Sequence, residues 1–144
     1  AKIFSNQDEI SIDFVGPIVD KNFKVNDKST HYLGSWDREN VRQKLTEYKA
    51  LILLSDGEAH ALVVGEALAA GLSLIISEEA SANLDKSLPF IKIASIEDNN
   101  LMNLVKKTCA ENTQYRNDIR KYSYSFDWLE IAKRYLEIIK EYLN

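Results

Sequence analysis

Short apolar runs separated by turn residues occupy most of this chain, and stripes of helical period take over towards its end. Ile10 to Val15 alternates apolar and polar side chains and runs into Gly16-Pro17, which predicts a strand ending in a turn. Val19 to Ser29 is polar and irregular. His31-Tyr32-Leu33 predicts a second short strand closed by Gly34, and Asp37 is placed to cap a helix whose inner face is Val41, Leu45 and Tyr48. Leu51 to Leu54 suits a strand buried on both faces, ended by the turn chemistry of Ser55, Asp56 and Gly57. From Ala61 to Ile76 the only polar side chains are Glu66 and Ser73. That stretch predicts a helix kept close to the sheet by Gly65, Ala67, Ala69 and Ala70, a left-handed stop at Gly71, and a buried strand from Leu74 to Ile76.

Phe90 to Ile93, after Pro89, predicts a short fourth strand. Ser95 with Asp98 resembles an acidic capping box opening a helix to about Ala110, with a further helix from Thr113 to Tyr122. Asp127 with Glu130 caps the last helix, where Trp128, Ile131, Ala132, Tyr135, Ile138, Ile139 and Tyr142 recur at a period of 3.6. Strands alternating with helices call for an α/β fold: a mostly parallel sheet, helices on both faces, right-handed crossovers and a helical C-terminus. The 144 residues make one domain of ordinary size, with no internal repeat or low-complexity linker. Neither G-x-G-x-x-G nor G-x-x-x-x-G-K-[ST] occurs, so a nucleotide would have to be held in another way.

Composition narrows the choice of partners. The net charge is −4 and the lysines and arginines are scattered, which argues against nucleic acid or a membrane surface as the main partner. The single cysteine, Cys109, falls with Leu101, Leu104, Val105 and Thr108 at helical core spacing, so it reads as a small buried hydrophobe. No disulfide can form within the chain. With no signal sequence and no apolar run of membrane length, the expected compartment is the cytoplasm. The chain begins at Ala1 without methionine and is expected to be a piece of a longer protein.

The candidate chemistry lies at the carboxyl edge of the third strand. Glu58 falls in the loop there, Glu66 is the lone carboxylate of an apolar helix, and the N-terminus of that helix near Ala61 and Leu62 offers free N–H groups to an anion. Ligands of open α/β sheets bind at this edge. On spacing alone, a solvated acid at position 66 and an ordinary loop acid at 58 have equal weight.

The longer string shifts that balance. Ser55-Asp56-Gly57-Glu58-Ala59-His60-Ala61-Leu62-Val63-Val64-Gly65-Glu66-Ala67-Leu68-Ala69-Ala70-Gly71-Leu72-Ser73 resembles the donor-binding motif of the family 4 retaining glycosyltransferases, enzymes of the GT-B fold. Phe14-Val15-Gly16 and Tyr32-Leu33-Gly34 are similar to the family's strand-end glycines, and Ser125-Phe126-Asp127-Trp128 to its Phe-Ser-Trp before the final helix. Leu54, Ala59, His60, Ala61 and Ser73 stand where the family has proline, glycine, an aromatic, glycine and proline. The family's Gly-Arg and Lys-Gly phosphate loop is not in the chain.

The resemblance implies a Rossmann-like C-terminal half of a GT-B fold over residues 1–144, without the first strand or the N-terminal acceptor domain. It implies transfer of a sugar from a UDP- or GDP-sugar to an acceptor that the sequence does not identify, with retention of configuration. The nucleotide sugar would be substrate, with no metal or other cofactor. Glu66 would take the ribose hydroxyls. Glu58, as catalytic residue, would face hydroxyls of the transferred sugar. Backbone N–H groups around His60, Ala61 and Leu62 would hold the sugar and the β-phosphate, with His60 a sugar contact and no base. Ser35 and Trp36 would lie where the nucleotide base packs, although a half-buried surface aromatic explains Trp36 equally well. Gly16 would border the substrate, and His31 is expected to be structural. The partner would be the chain's own N-terminal GT-B domain, through which alone any peripheral membrane contact would come. Two alternatives stay open: a catalytically silent GT-B-like binding or scaffolding domain, favoured by the alanines at 59 and 61, and a GT-B-fold nucleotide-sugar epimerase. A flavodoxin-like or receiver-like signalling domain fits less well, because no acidic pair marks the end of the first strand.

Overall fold

The computed structural model describes residues 10–20, 22, 23, 25, 28–57 and 62–143. Among the described residues, five strands and four α-helices follow one another as β1 (Ile12–Phe14), β2 (Thr30–Tyr32), α1 (Arg38–Lys44), β3 (Ala50–Leu53), α2 (Leu62–Ala70), β4 (Ser73–Ile76), β5 (Ile91–Ile93), α3 (Leu101–Ser123) and α4 (Trp128–Leu143). Every strand pairing is parallel: β1 with β2, and β3 with β4 and β5 in the order β3-β4-β5. The chain is α/β with a helical C-terminus, as its sequence predicts, and its strands form two small sheets among the described residues.

β4 is the centre of the larger sheet, and all four of its residues are buried. An unbroken apolar strand suits that place because helices cover both of its faces. Leu74 and Ile76 pack with Val64, Ala67 and Leu68 of α2 and with Ile119 of α3. Ile75 points to the other face, against Leu101 and Val105. Each such fully buried aliphatic side chain contributes about 1.5–3 kcal/mol relative to exposure. β3 differs from expectation: its four residues are only half-buried. Leu51 and Leu53 lean on the α2 face and Ile52 on the other, where the partly buried Ile10, Leu54, Leu104 and Cys109 gather. Cys109 is thus half-buried at the rim of an apolar cluster, and that burial raises its thiol pKa.

The two helices expected between Ser95 and Tyr122 are one. Ser95 and Asp98 bond the amides of Glu97 and Asn100 in turns before the helix, which starts only at Leu101. The polar stretch at Glu111-Asn112 does not break it, because Asn112 is buried and finds partners across the fold. Leu101 and Val105 lie on one face of the sheet, while Tyr115, Ile119 and Tyr122 lie on the other. One helix therefore serves both faces, crossing beside the turn that joins α2 to β4. Its second half carries an aromatic group in which Tyr122 meets Phe90 at 5.9 Å and Phe126 at 5.4 Å.

α1 is capped as expected, with Asp37 Oδ1 accepting from the Asn40 amide at 2.8 Å. A 3-10 turn at Leu45–Glu47 then leads to Tyr48 and β3. α4 is capped by Asp127, whose Oδ1 accepts from the Leu129 amide at 2.8 Å. Its period-3.6 stripe is real, yet no residue of α4 is buried. Among the described residues no helix is long and apolar enough to cross a membrane.

Candidate functional site

Three segments implicated by the sequence each follow the carboxyl end of a strand. Gly16 follows β1, Ser35 and Trp36 follow β2, and the loop from Ser55 follows β3. Gly16 and Gly34 adopt φ of 132° and 73°, conformations that glycine reaches without the cost a Cβ would bring. The Gly16 amide donates to the Gly34 carbonyl at 2.9 Å, and the Tyr32 hydroxyl donates to the Gly16 carbonyl at 2.8 Å. The two strand ends are thereby joined, and beside them Phe14, Gly16, Pro17, Val19, Phe23 and Tyr32 help to line an open, largely apolar hollow of about 240 Å³.

Ser35 is exposed and Trp36 half-buried. The Trp36 ring meets the Tyr48 ring at 6.0 Å and 59°, and the Lys44 ammonium stands 5.5 Å from its centroid. Beyond β3, the Ser77 hydroxyl donates to the Ser55 carbonyl at 2.5 Å and so ties the start of the next loop to the end of β4. Glu58, His60 and Ala61 lie outside the described residues. Leu62 opens α2 and is 77% exposed. Glu66, one turn on, is also exposed and makes no hydrogen bond or ion pair with a described residue. At the spacing of four, Leu62 and Glu66 share the outward stripe of a helix whose inner stripe is Val64, Ala67 and Leu68.

Glu66 is therefore an exposed carboxylate, as the solvated reading of its spacing allows. Its environment is apolar on its own helix and open to solvent above it. A carboxylate so placed can accept hydrogen bonds from a ligand without breaking one to another described residue.

Sequence reasoning missed a polar cluster beneath the Trp36 ring. Asp13 and His31 face each other in the register of β1 and β2, with Asp13 Oδ1 at 3.0 Å from His31 Nδ1. Asp13 Oδ2 accepts from the Tyr48 hydroxyl at 2.5 Å. Desolvation, followed by the hydrogen bond and charge of Asp13, pushes the Tyr48 phenol well above its ordinary range. Pairing ISIDFV with THYL in parallel would have brought Asp13 and His31 together, so a signal existed. Tyr48 carried none, because its place in the helical stripe marked it as core.

Among the described residues no three His, Cys, Asp or Glu side chains stand close enough to hold a metal ion. No family model matches the chain, and no curated protein or solved structure matches it.

Proposed function

We propose that this chain is the donor-binding domain of a retaining glycosyltransferase, the Rossmann-like C-terminal half of a GT-B fold acting in the cytoplasm. The observation that carries the reading is Glu66: an exposed, outward carboxylate one turn into the helix that follows β3 of a parallel sheet, within a motif string that resembles the family's. Such a carboxylate accepts two charge-assisted hydrogen bonds from a ribose diol. The amides of His60, Ala61 and Leu62 would meet the β-phosphate and the sugar, as helix N-termini meet anions. Glu58 would bind hydroxyls of the transferred sugar, and Ser35 and Trp36 would receive the base. The phosphate loop and the acceptor-binding domain would come from the rest of the GT-B protein, with the donor cleft between the two domains.

Calorimetry on the protein that joins this chain to its acceptor-side domain tests the reading. UDP or GDP should bind, and Glu66→Ala should weaken the free nucleotide by about 10-fold to 100-fold, the worth of a charge-assisted hydrogen bond at 1.5–3 kcal/mol. No heat with UDP, GDP or ADP at millimolar concentration would overturn it. Nucleotide binding without sugar transfer would favour the silent scaffolding domain, the reading to which Ala59 and Ala61 point.

A further inference from the structure

Asp13 lies in the middle of β1 and joins it to two other segments at once. One carboxylate oxygen meets His31 Nδ1 on β2 at 3.0 Å, and the other accepts from the Tyr48 hydroxyl, between the 3-10 turn and β3, at 2.5 Å. Ser11 Oγ lies 3.4 Å from the same imidazole nitrogen. The Tyr48 ring packs on Trp36, so a continuous run of contacts leads from His31 through Asp13 and Tyr48 to Trp36. The run begins at a side chain 50% exposed to solvent and passes through a carboxylate that is 20% exposed.

We propose that protonation of His31 sets the position of Trp36 through Asp13 and Tyr48, making these three positioning residues for the ring beside Ser35. Its consequence for base packing rests on the proposed glycosyltransferase reading; the switch itself does not. With a neutral imidazole, Nδ1–H donates to Asp13 and the full carboxylate charge remains available to the Tyr48 hydroxyl. With an imidazolium, the Asp13 charge is drawn into an ion pair and the Tyr48 hydrogen bond weakens, because both donors share one negative charge. Tyr48 stays a donor throughout, its phenol being held protonated by burial and by Asp13. Among the described residues, Glu47 beside Tyr48 and Lys44 over Trp36 also bring charge to the cluster. Of these side-chain types, imidazole is the one that changes charge between pH 5 and 8.

The chain has two tryptophans, and Trp128 is 82% exposed, so Trp128→Phe leaves Trp36 as sole reporter without disturbing the core. In that background the Trp36 emission maximum should move to longer wavelength as pH falls from 8 to 5, the range over which imidazole side chains change charge. His31→Gln should abolish the shift. Tyr48→Phe should abolish it too while the His31 imidazole still titrates by NMR, a separation that a merely structural Tyr48 would not produce. Flat emission in Trp128→Phe, a shift that survives His31→Gln, or one that survives Tyr48→Phe would each overturn the proposal. No nucleotide is present in this experiment, so its failure is distinct from failure of the calorimetric test of function.

Discussion

The side-chain amide of Asn112 donates to the Gly71 carbonyl at 3.0 Å and to Ser73 Oγ at 3.1 Å, fastening the middle of α3 to the turn between α2 and β4. Asn112 is fully buried, and its Oδ1 has no partner among the described residues. Asn112→Ala should destabilise the domain by about 2–3 kcal/mol, since it leaves a buried carbonyl and hydroxyl unpaired and opens a small cavity. Urea denaturation followed by circular dichroism measures this; a loss under about 0.5 kcal/mol would show that the contacts are incidental.

Gly71 tests the same junction from the other side. Its φ is +87°, and a Cβ added there would stand 2.8 Å from Arg116 Cγ and 3.1 Å from Arg120 Nε. Those arginines donate to the Ala70 carbonyl at 3.4 and 3.3 Å, at the negative end of α2. Gly71→Ala should therefore cost more than the 1–2 kcal/mol or so of left-handed strain alone. In an Arg116→Ala background the tightest contact is removed, so the steric part should shrink to what Arg120 Nε imposes while the strain remains. A double-mutant cycle reads the difference as a coupling energy, and additive costs would mean that Arg116 moves aside freely.

The Tyr48 phenol gives a prediction at alkaline pH. Burial first, then the hydrogen bond to and charge of Asp13, raise its pKa above the ordinary value, so the neutral phenol is favoured in the fold. A raised folded pKa contributes stability that is present below the unfolded value, about 10 for tyrosine, and is lost as pH rises beyond it. Wild-type stability should fall more steeply above pH 10 than that of Tyr48→Phe. Spectrophotometric titration should show one of the seven tyrosines ionising last, and the lag should disappear in the variant. Seven phenols titrating together in the wild type would count against the Asp13 contact.

How far the fold was legible in the chain depends on what each residue had to meet. The strand at Leu74–Ile76, the Asp37 cap and the left-handed Gly71 were readable because local chemistry decides them. The single α3 was not, because the local sequence suggests one helix ending near Ala110 and another starting at Thr113, and only the long-range bonds of Asn112 to Gly71 and Ser73 make the polar stretch between them part of the core. β3 read as doubly buried because an apolar run records that a side chain avoids water, without recording which neighbours cover it. Among the candidate site residues, the positions of Gly16 after β1, of Ser35 and Trp36 after β2 and of Glu66 on α2 follow from local strand and helix signals, whereas the exposure of Glu66 and the Asp13–His31–Tyr48 cluster depend on register and packing.

α4 separates periodicity from burial. Its stripe has the pattern of a core helix, yet Trp128 is 82% and Tyr142 88% exposed, and Leu129, Tyr135, Leu136 and Leu143 are also open to solvent. Sixteen residues are few for a helix that relies on its own propensity, so α4 is held chiefly at its start, by the Asp127 cap and by Arg134 donating to the Ser125 carbonyl at 2.6 Å. Replacing Trp128 and Tyr142 together by serine should change the stability of the domain by less than about 0.5 kcal/mol. Phe126→Ala, just before the helix, should cost about 2 kcal/mol, because that ring packs edge-on against Tyr122 and the main core. Hydrogen exchange should show the amides beyond Arg134 opening far more readily than those of β4, since they lack any buried side chain to hold them. Protection in the last turns of α4 equal to that of β4 would mean that its apolar face is covered in solution.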